Sequence, residues 1–279
     1  MDAGDLYFGH GSPEPLDEAI QLALHCMGIP FARLEECLDR PVGGNVVRRL
    51  QQLLEIRCRT CKPLAYLICK SWFAGLEFYV DERVLVPRSP IAELVEKRFS
   101  PWLTGDVRRI LDLGTGSACI AVACAEAFPE ASVDAIDSSS SALAVAAHNC
   151  SIHEAGRRVR LYRSDLFKAV AGKRYDLIVS NPPYVEAREL IGLPREYYYE
   201  PRCGLQGGGD GLSVTRRILR GAARHLTDSG VLIGEVGSYA ALLAATVPDL
   251  PFVWVNLERG GEGVFVLFAS DLRDTAGAL

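Results

Sequence analysis

The sequence predicts an α/β protein: a doubly wound, mostly parallel sheet of seven strands with an antiparallel edge strand, preceded by a small helical part and a linking hairpin. Three observations carry that prediction. From residue 109 onward, short apolar runs alternate with helical patterns, the rhythm of βαβ units. Leu177-Ile178-Val179 is apolar without alternation, as a strand covered on both faces must be. A glycine loop, Gly114-Thr115-Gly116, follows the first run and opens a helix, the turn such sheets place at their ligand edge.

In chain order, residues 17–27 set Ala19, Ile20, Ala23, Leu24 and Met27 at the spacing of an amphipathic helix. Asn45 is a plausible cap for a second helix to about Arg59, with Val46, Val47, Leu50, Leu53 and Leu54 inward. Between 46 and 70, Arg48, Arg49, Arg57, Arg59, Lys62 and Lys70 face Glu55 alone, which suits a solvated face or a contact for RNA or an acidic partner. Residues 73–86 read as two short strands around Asp81-Glu82. Pro87-Arg88-Ser89-Pro90 breaks the chain before a helix that begins at Ile91, and Pro101, Gly105 and Asp106 mark a boundary. The chain therefore divides into residues 1–72, 73–106 and 107–279.

In the largest part, strands are expected at 109–113, 132–136, 159–163, 177–179 and 230–237. Between the first two lies a helix over 118–128 that is apolar nearly all round, hence buried. The helix after the second strand should bury Leu143, Ala146, Ala147 and Cys150, and one over 210–225 precedes the fifth strand. Residues 252–256 and 263–269, joined through Arg-Gly-Gly-Glu, form the terminal hairpin that supplies the antiparallel edge.

Composition narrows the function. A chain of 279 residues with 49% hydrophobic and 23% charged residues is ordinary globular protein, and a net charge of −5 argues against broad binding to nucleic acid. The most apolar stretch, 118–125, is shorter than the ~20 residues a bilayer span needs. Asp2 and Asp5 do not resemble the basic start of a secretory signal, so a soluble, cytoplasmic protein is expected. Nine scattered cysteines suit a reducing compartment. Cys58-Arg-Thr-Cys61, with Cys69 beyond, lacks a fourth ligand at zinc spacing, and no metal site is expected.

The chemistry concentrates in 175–184, Tyr-Asp-Leu-Ile-Val-Ser-Asn-Pro-Pro-Tyr. The strand stops at Ser180-Asn181-Pro182-Pro183, where two prolines remove two donors and end the ladder. The turn offers an amide, a carbonyl ahead of a fixed ring, and the face of Tyr184, at the carboxyl end of a strand. Upstream, Asp112 immediately precedes the glycine loop, Asp137 closes the next strand and can accept from ribose hydroxyls, and Asp165 ends the third and can accept from an exocyclic amine. A nicotinamide cofactor and S-adenosylmethionine both fit these spacings. The second is favoured because Cys119 stands where G-x-G-x-x-G needs its third glycine, and because Asp112 would repel a pyrophosphate but suits a cationic ligand.

With the glycine loop, Asp137, Asp165 and Asn181-Pro182-Pro183-Tyr184 in this order, the chain resembles the class I (Rossmann-like) S-adenosylmethionine-dependent methyltransferases, and more narrowly the N5-glutamine methyltransferases. The segments 7–11, 79–91, Glu200-Pro and Gly209-Asp210-Gly211-Leu212 are similar to the branch acting on the third large-subunit ribosomal protein, L3. The release-factor branch has Pro-Arg-Pro-Glu-Thr-Glu where this chain has Pro87-Arg-Ser-Pro-Ile-Ala. The chain departs from the family's pattern at Ala118, at the serine run 138–141 and at Cys61.

The resemblance implies a helical substrate-recognition domain over 1–72, a hairpin and linker over 73–106 and a catalytic domain over 107–279. It implies S-adenosylmethionine held by Asp112, Gly114, Thr115, Gly116, Asp137, Asp165, Leu166 and Asn181. Asn181, Pro182 and Tyr184 would be catalytic; Pro183, Phe73 and Arg88 would join them against substrate. L3 or the assembling large subunit is the implied partner, with ribosomal RNA touching the basic residues of 48–70. No strong general base is required, because the methyl donor arrives activated. An adenine-methylating nucleic-acid enzyme would use the same turn but calls for a broadly basic channel. A non-catalytic assembly factor would not need the intact acceptor turn.

Overall fold

The structure, a computed structural model, describes residues 6–10, 14–30 and 33–275. Asp2, Asp5 and Gly11, which entered the sequence argument, lie outside those residues.

Three helices lead. α1 (Pro15–Met27) stops at Gly28, whose left-handed backbone (φ 68°) lets its N–H reach the His25 carbonyl. α2 (Gly44–Thr60) and α3 (Leu64–Ile68) end at Cys61 and Cys69, both left-handed (φ 58° and 54°). Leu22, Cys26, Leu64 and Ile68, with Val46, Leu50, Leu53 and Trp72 against them, form a small core. Two details differ from expectation. Gly43 is the cap of α2, and Asn45 instead sits in its first turn, accepting from the Arg48 guanidinium. Val47 and Leu54 point outward, at 37% and 38% exposure, because α1 covers only the narrower stripe of Val46, Leu50 and Leu53.

The hairpin comes earlier than the sequence suggests. β1 (Ser71–Phe73) pairs with β2 (Leu76–Phe78) around Ala74-Gly75, both at positive φ (47° and 76°), the backbone of a two-residue primed turn. Asp81-Glu82 is a separate turn, closed by the Asp81 carboxylate accepting from the Arg83 N–H at 3.0 Å. After it comes α4 (Ile91–Glu96). Phe73, Phe78, Ile91, Leu94, Val95 and Phe99 pack into the main core, so residues 73–106 form part of one face of the sheet as well as joining its two neighbours in sequence.

Then β3 (Arg109–Leu113), α5 (Cys119–Ala127), β4 (Ser132–Asp137), α6 (Ser140–Ile152), β5 (Val159–Arg163) and β6 (Tyr175–Ser180) alternate. α7 (Arg202–Leu205), α8 (Ser213–His225), β7 (Leu226–Glu235), α9 (Ala240–Thr246), β8 (Val253–Trp254), β9 (Val264–Phe268) and α10 (Ala269–Asp274) complete the chain. The sheet order is β5-β4-β3-β6-β7-β9-β8. The first five strands are mutually parallel; β9 runs antiparallel to β7, and β8 closes the edge antiparallel to β9.

The unbroken apolar run of β6 has its physical reason here. Leu177 and Val179 face one hydrophobic layer with α4 and α5, and Ile178 faces the other with α8 and α10. On α6 the buried line is Ala142, Val145, Ala146 and Asn149 rather than the expected Leu143, Ala146, Ala147 and Cys150. The shift follows from Asn149, a fully buried amide that bonds the backbone of Tyr79 twice and donates to the Ser117 carbonyl at 2.9 Å. The serine run acts as a helix start: Ser139 Oγ accepts from the Ala142 N–H. Among the described residues no helix is long and apolar enough to cross a membrane.

Candidate active site

Chain order reverses between β3 and β6, which lie side by side with Leu113 opposite Ser180. In an open parallel sheet a crevice opens at such a switch point, beyond the strand ends. A cavity of about 510 Å³ lies there, lined by the glycine loop, Asp137, Asp165 and the 181–184 turn. Ser180 Oγ donates to the Leu113 carbonyl at 2.7 Å and ties the turn to the loop.

The loop is held from behind. Gly114 (φ 75°) and Gly116 (φ 55°) take the left-handed backbone that side chains resist. The Gly114 and Thr115 N–H groups both donate to the Ile136 carbonyl, and Gly116 N–H donates to Asp137 Oδ2 at 2.9 Å. Ser139 N–H donates to Asp137 Oδ1 at 2.8 Å, leaving each oxygen capacity for a ligand hydroxyl. α5 begins at Cys119, one residue later than expected, because Ala118 (φ 65°) is the left-handed residue ahead of it.

Asp112 is the penultimate residue of β3, directly ahead of the loop. It is fully buried beneath the loop, off the cavity wall, and Thr115 Oγ1 donates to its Oδ2 at 2.6 Å. Burial pushes its carboxyl up to about 7; the Thr115 hydroxyl opposes this and the Asp137 charge adds to it. Its ordinary value is 3.8, so the native state holds this proton where the unfolded chain has lost it. Stability from this group is therefore present at low pH and is lost as pH rises from about 4 to about 7, by as much as about 4 kcal/mol. Asp112→Asn should remove that dependence: in urea unfolding without cofactor, the variant's advantage grows across the window and is flat above it. A difference independent of pH would refute the buried-carboxyl reading.

Asp165 and Leu166 line the cavity, but the Asp165 carboxylate also meets Arg217 at 2.6 Å and Lys168 at 3.0 Å, which hold it below the ordinary carboxylate range. Arg217, 52 positions away, carried no sequence signal. Phe73 is 3% exposed inside the main core, where the tight turn at Ala74-Gly75 directs it, and does not line the cavity. Arg88 does line it, but its two terminal nitrogens grip Glu200 at 2.5 and 2.8 Å. Burial alone would raise Glu200, yet Arg88 and His10 bring it down to about 2. The Val86 N–H donates to the same carboxylate, so Glu200 pins the 86–88 segment to the cavity wall.

In the 181–184 turn, neither the Asn181 side-chain amide nor the Pro182 carbonyl has a hydrogen-bond partner among the described residues. The segment leaving the turn is braced by Val185 N–H to the Leu205 carbonyl and Gly207 N–H to the Val185 carbonyl. A Cβ at Gly207 would sit 2.1 Å from the Gly211 carbonyl oxygen and 2.6 Å from that of Pro183, so only glycine permits the brace. Asp210 caps it by accepting from Leu212 N–H and pairing with Arg216. Tyr184 lines the cavity and donates its hydroxyl to Glu235 at 2.9 Å; Ser89 Oγ donates to the other oxygen of Glu235 at 2.5 Å. Sequence reasoning marked Glu200 only as part of a motif similar to the L3 branch, without a role at the site, and missed Glu235.

Residues 95–193 match the family described as Methyltransferase small domain. Over 278 residues, 98% of this chain and 87% of the relative, the sequence is 44% identical to the ribosomal protein uL3 glutamine methyltransferase of Francisella tularensis. The protein of that name from Xanthomonas campestris is 46% identical over 96% of this chain and 87% of its own. The chain belongs to the ribosomal protein uL3 glutamine methyltransferase family. It is an enzyme of the class I methyltransferase fold, with S-adenosylmethionine as cofactor. Solved structures share the fold at low identity. A methyltransferase from Pyrococcus furiosus aligns with a TM-score of 0.51, 21% identity, and coverage of 80% of this chain and 98% of its own. The hMettl16 catalytic domain in complex with a MAT2A 3′UTR hairpin aligns at 0.56, 16% identity and 94% coverage of each.

The residues of this family member fit that cofactor. The cavity is of ligand size. Asp137 and Asp165 supply acceptors for hydroxyls and an amine, and Asp112 Oδ1 beneath the loop is a buried oxygen with no partner, on a carboxyl whose ionised form a nearby cation would favour.

Proposed function

We propose that the protein transfers a methyl group from S-adenosylmethionine to the side-chain amide nitrogen of a glutamine in ribosomal protein uL3. The observation that carries this is the pair of unengaged acceptors, the Asn181 amide oxygen and the Pro182 carbonyl, on the wall shared with the glycine loop. A carboxamide nitrogen is a poor nucleophile because its lone pair is delocalised into the carbonyl. The sulfonium supplies an already activated methyl group, so this chain's task is chiefly to position the nitrogen. Asn181 Oδ1 and the Pro182 carbonyl each accept one amide hydrogen, which turns the nitrogen toward the donor and favours the positive charge that develops on it. Proline's fixed φ aims that carbonyl. Tyr184 packs on the flat carboxamide, with Pro183 shaping the floor, and Arg88 positions the entrance through Glu200.

Within this reading, residues 1–72 recognise the substrate, 73–106 link, and 107–279 carry out transfer in the cytoplasm. The test is methyl transfer from labelled cofactor into uL3, a release factor and undamaged DNA, each offered alone. Label on a glutamine of uL3 only supports the proposal; label on the release factor moves the substrate, and label on DNA removes the amide reading.

A ribosomal RNA contact narrows to fewer residues than 48–70 suggested. Arg57 is buried, Lys62 pairs with Glu82 and Lys70 with Glu77, which leaves Arg48, Arg49 and Arg59 exposed. Arg48→Glu with Arg49→Glu should lower activity on an RNA-bearing large-subunit precursor by about 10-fold, the loss of a few phosphate contacts, and leave isolated uL3 nearly unaffected. Equal losses on both substrates would remove the RNA contact.

A further inference from the structure

Glu235 is the last residue of β7, and the residue before it, Gly234, stands opposite Ser180 of β6. Its carboxyl therefore emerges at the same sheet edge as the acceptor turn, and it lines the cavity while only 4% exposed. A carboxyl buried to that degree needs partners. Both are hydroxyls. Tyr184 Oη donates to Oε1 at 2.9 Å and Ser89 Oγ to Oε2 at 2.5 Å. Ser89 Oγ also accepts from Ile91 N–H at 3.2 Å, which leaves its proton aimed at the carboxylate. Arg88, whose charge would help hold Glu235 ionised, is gripped by Glu200. Burial pushes the carboxyl above its ordinary range, with the two hydroxyls and Arg88 opposing. The charged or titratable groups around this pair are thus Arg88, Glu200, His10 beside Glu200, Tyr197, over whose ring Arg88 lies at 5.3 Å, and Tyr239, whose ring packs 6.3 Å from that of Tyr184 and whose hydroxyl donates to Glu189.

Resting on the glutamine reading above, we infer that Glu235 is the acceptor for the proton which the substrate amide loses, reached through the Tyr184 hydroxyl. Methylation of an amide nitrogen must release one proton. The nitrogen's electron pair forms the N–CH3 bond, the pair of the broken S–CH3 bond stays on sulfur, and the sulfonium charge becomes an N–H proton to be removed. Of the two amide hydrogens, the one released leaves its Asn181 or Pro182 acceptor after the N–CH3 bond begins to form and passes to Tyr184 Oη as the tyrosine's own proton passes to Glu235 Oε1. The result is a neutral N-methyl amide, a neutral thioether and a protonated Glu235, which returns its proton to solvent through the cavity it lines. Withdrawing the proton as the bond forms eases the weak nucleophilicity of an amide. Positioning alone, by Asn181 and Pro182, does not provide this. Ser89 and the 2.9 Å bond from Tyr184 make Glu235 a positioned proton acceptor.

The test is single-turnover methyl transfer into uL3 at saturating cofactor, over the whole pH range in which the protein stays folded, in water and in deuterium oxide, with calorimetry of cofactor binding to report an intact fold. In the native enzyme the rate should rise with pH to a plateau as Glu235 ionises. Glu235→Gln and Tyr184→Phe should each slow transfer about 100-fold, lose the rising limb and the solvent isotope effect, and be no worse combined than singly. Glu235→Asp should keep the limb at a reduced rate. Should Glu235→Gln fail to bind cofactor, the limb of Tyr184→Phe decides. A Glu235→Gln or Tyr184→Phe enzyme with the native limb and a rate within threefold overturns the relay while the glutamine reading stands. A native enzyme that leaves uL3 unlabelled overturns that reading, and the relay falls with it.

Discussion

Asn181→Ala should cut single-turnover methyl transfer by about 10³-fold while cofactor affinity, measured by calorimetry, stays within about threefold. The separation follows from where the side chain sits. In the proposed reading the glycine loop, Asp137 and Asp165 carry most of the hold on the cofactor, and the Asn181 amide bonds to none of the described residues. Its removal leaves no buried group orphaned, so the fold loses little, and the whole cost falls on the step in which the substrate nitrogen becomes positive. Asn181→Asp sharpens the comparison. The acceptor oxygen is retained but the amino donor is lost and a charge added, so partial activity would assign the effect to the oxygen. Native-like turnover by Asn181→Ala would end the acceptor role for this residue.

What could be read in the sequence was what is local. Leu177-Ile178-Val179 announced a doubly covered strand because burial on both faces leaves no polar position, and Asn181-Pro182-Pro183-Tyr184 carries its chemistry within four consecutive residues. The failures share one cause, partners far away in sequence. Arg88 reads as a direct substrate contact until Glu200, 112 positions later, is seen gripping it, and Ser89 is an ordinary turn residue without Glu235, 146 positions on. The α6 phase slipped because apolarity alone selects Cys150, whereas the fold spends the inward position on Asn149 to bond Tyr79 and Ser117. The hairpin was placed at the polar dipeptide Asp81-Glu82, the stronger turn signal by composition. Ala74-Gly75 makes the tighter turn only because Phe73 and Phe78 are drawn into the same core. A general rule follows for families of this kind: the motif locates the reaction, and the carboxylates that set its walls must be found in space.

Arg57→Met should destabilise the protein by about 3–5 kcal/mol, a larger cost than any surface change in α2. In sequence Arg57 belongs to a run of surface cations; in the fold it is 3% exposed and joins three segments. Its Nε and Nη2 donate to Glu18 of α1 at 2.9 and 3.2 Å, Nη1 donates to Glu196 Oε1 at 2.9 Å, and Nη2 also donates to the Tyr7 carbonyl at 3.0 Å. One guanidinium thus stands between two buried carboxylates, and methionine of similar volume leaves them facing each other with no cation. Glu196 Oε2 already lacks a partner, which makes that site the less forgiving of the two. Urea unfolding measures the loss. The companion variant Glu18→Leu, Arg57→Met, Glu196→Leu should recover much of it, since a packed apolar cluster avoids the desolvation that the ion cluster bears, although the Tyr7 N–H, which donates to Glu196, loses its acceptor. The cluster also reaches the site. Glu196 precedes Tyr197, which lines the cavity beneath Arg88, so the single variant should lose transfer activity at temperatures where cofactor still binds, and the triple variant should regain it only if apolar packing restores the 195–199 segment. A single variant as stable as the parent would mean that the buried cluster specifies how the helices meet the catalytic part without adding to the stability of the fold.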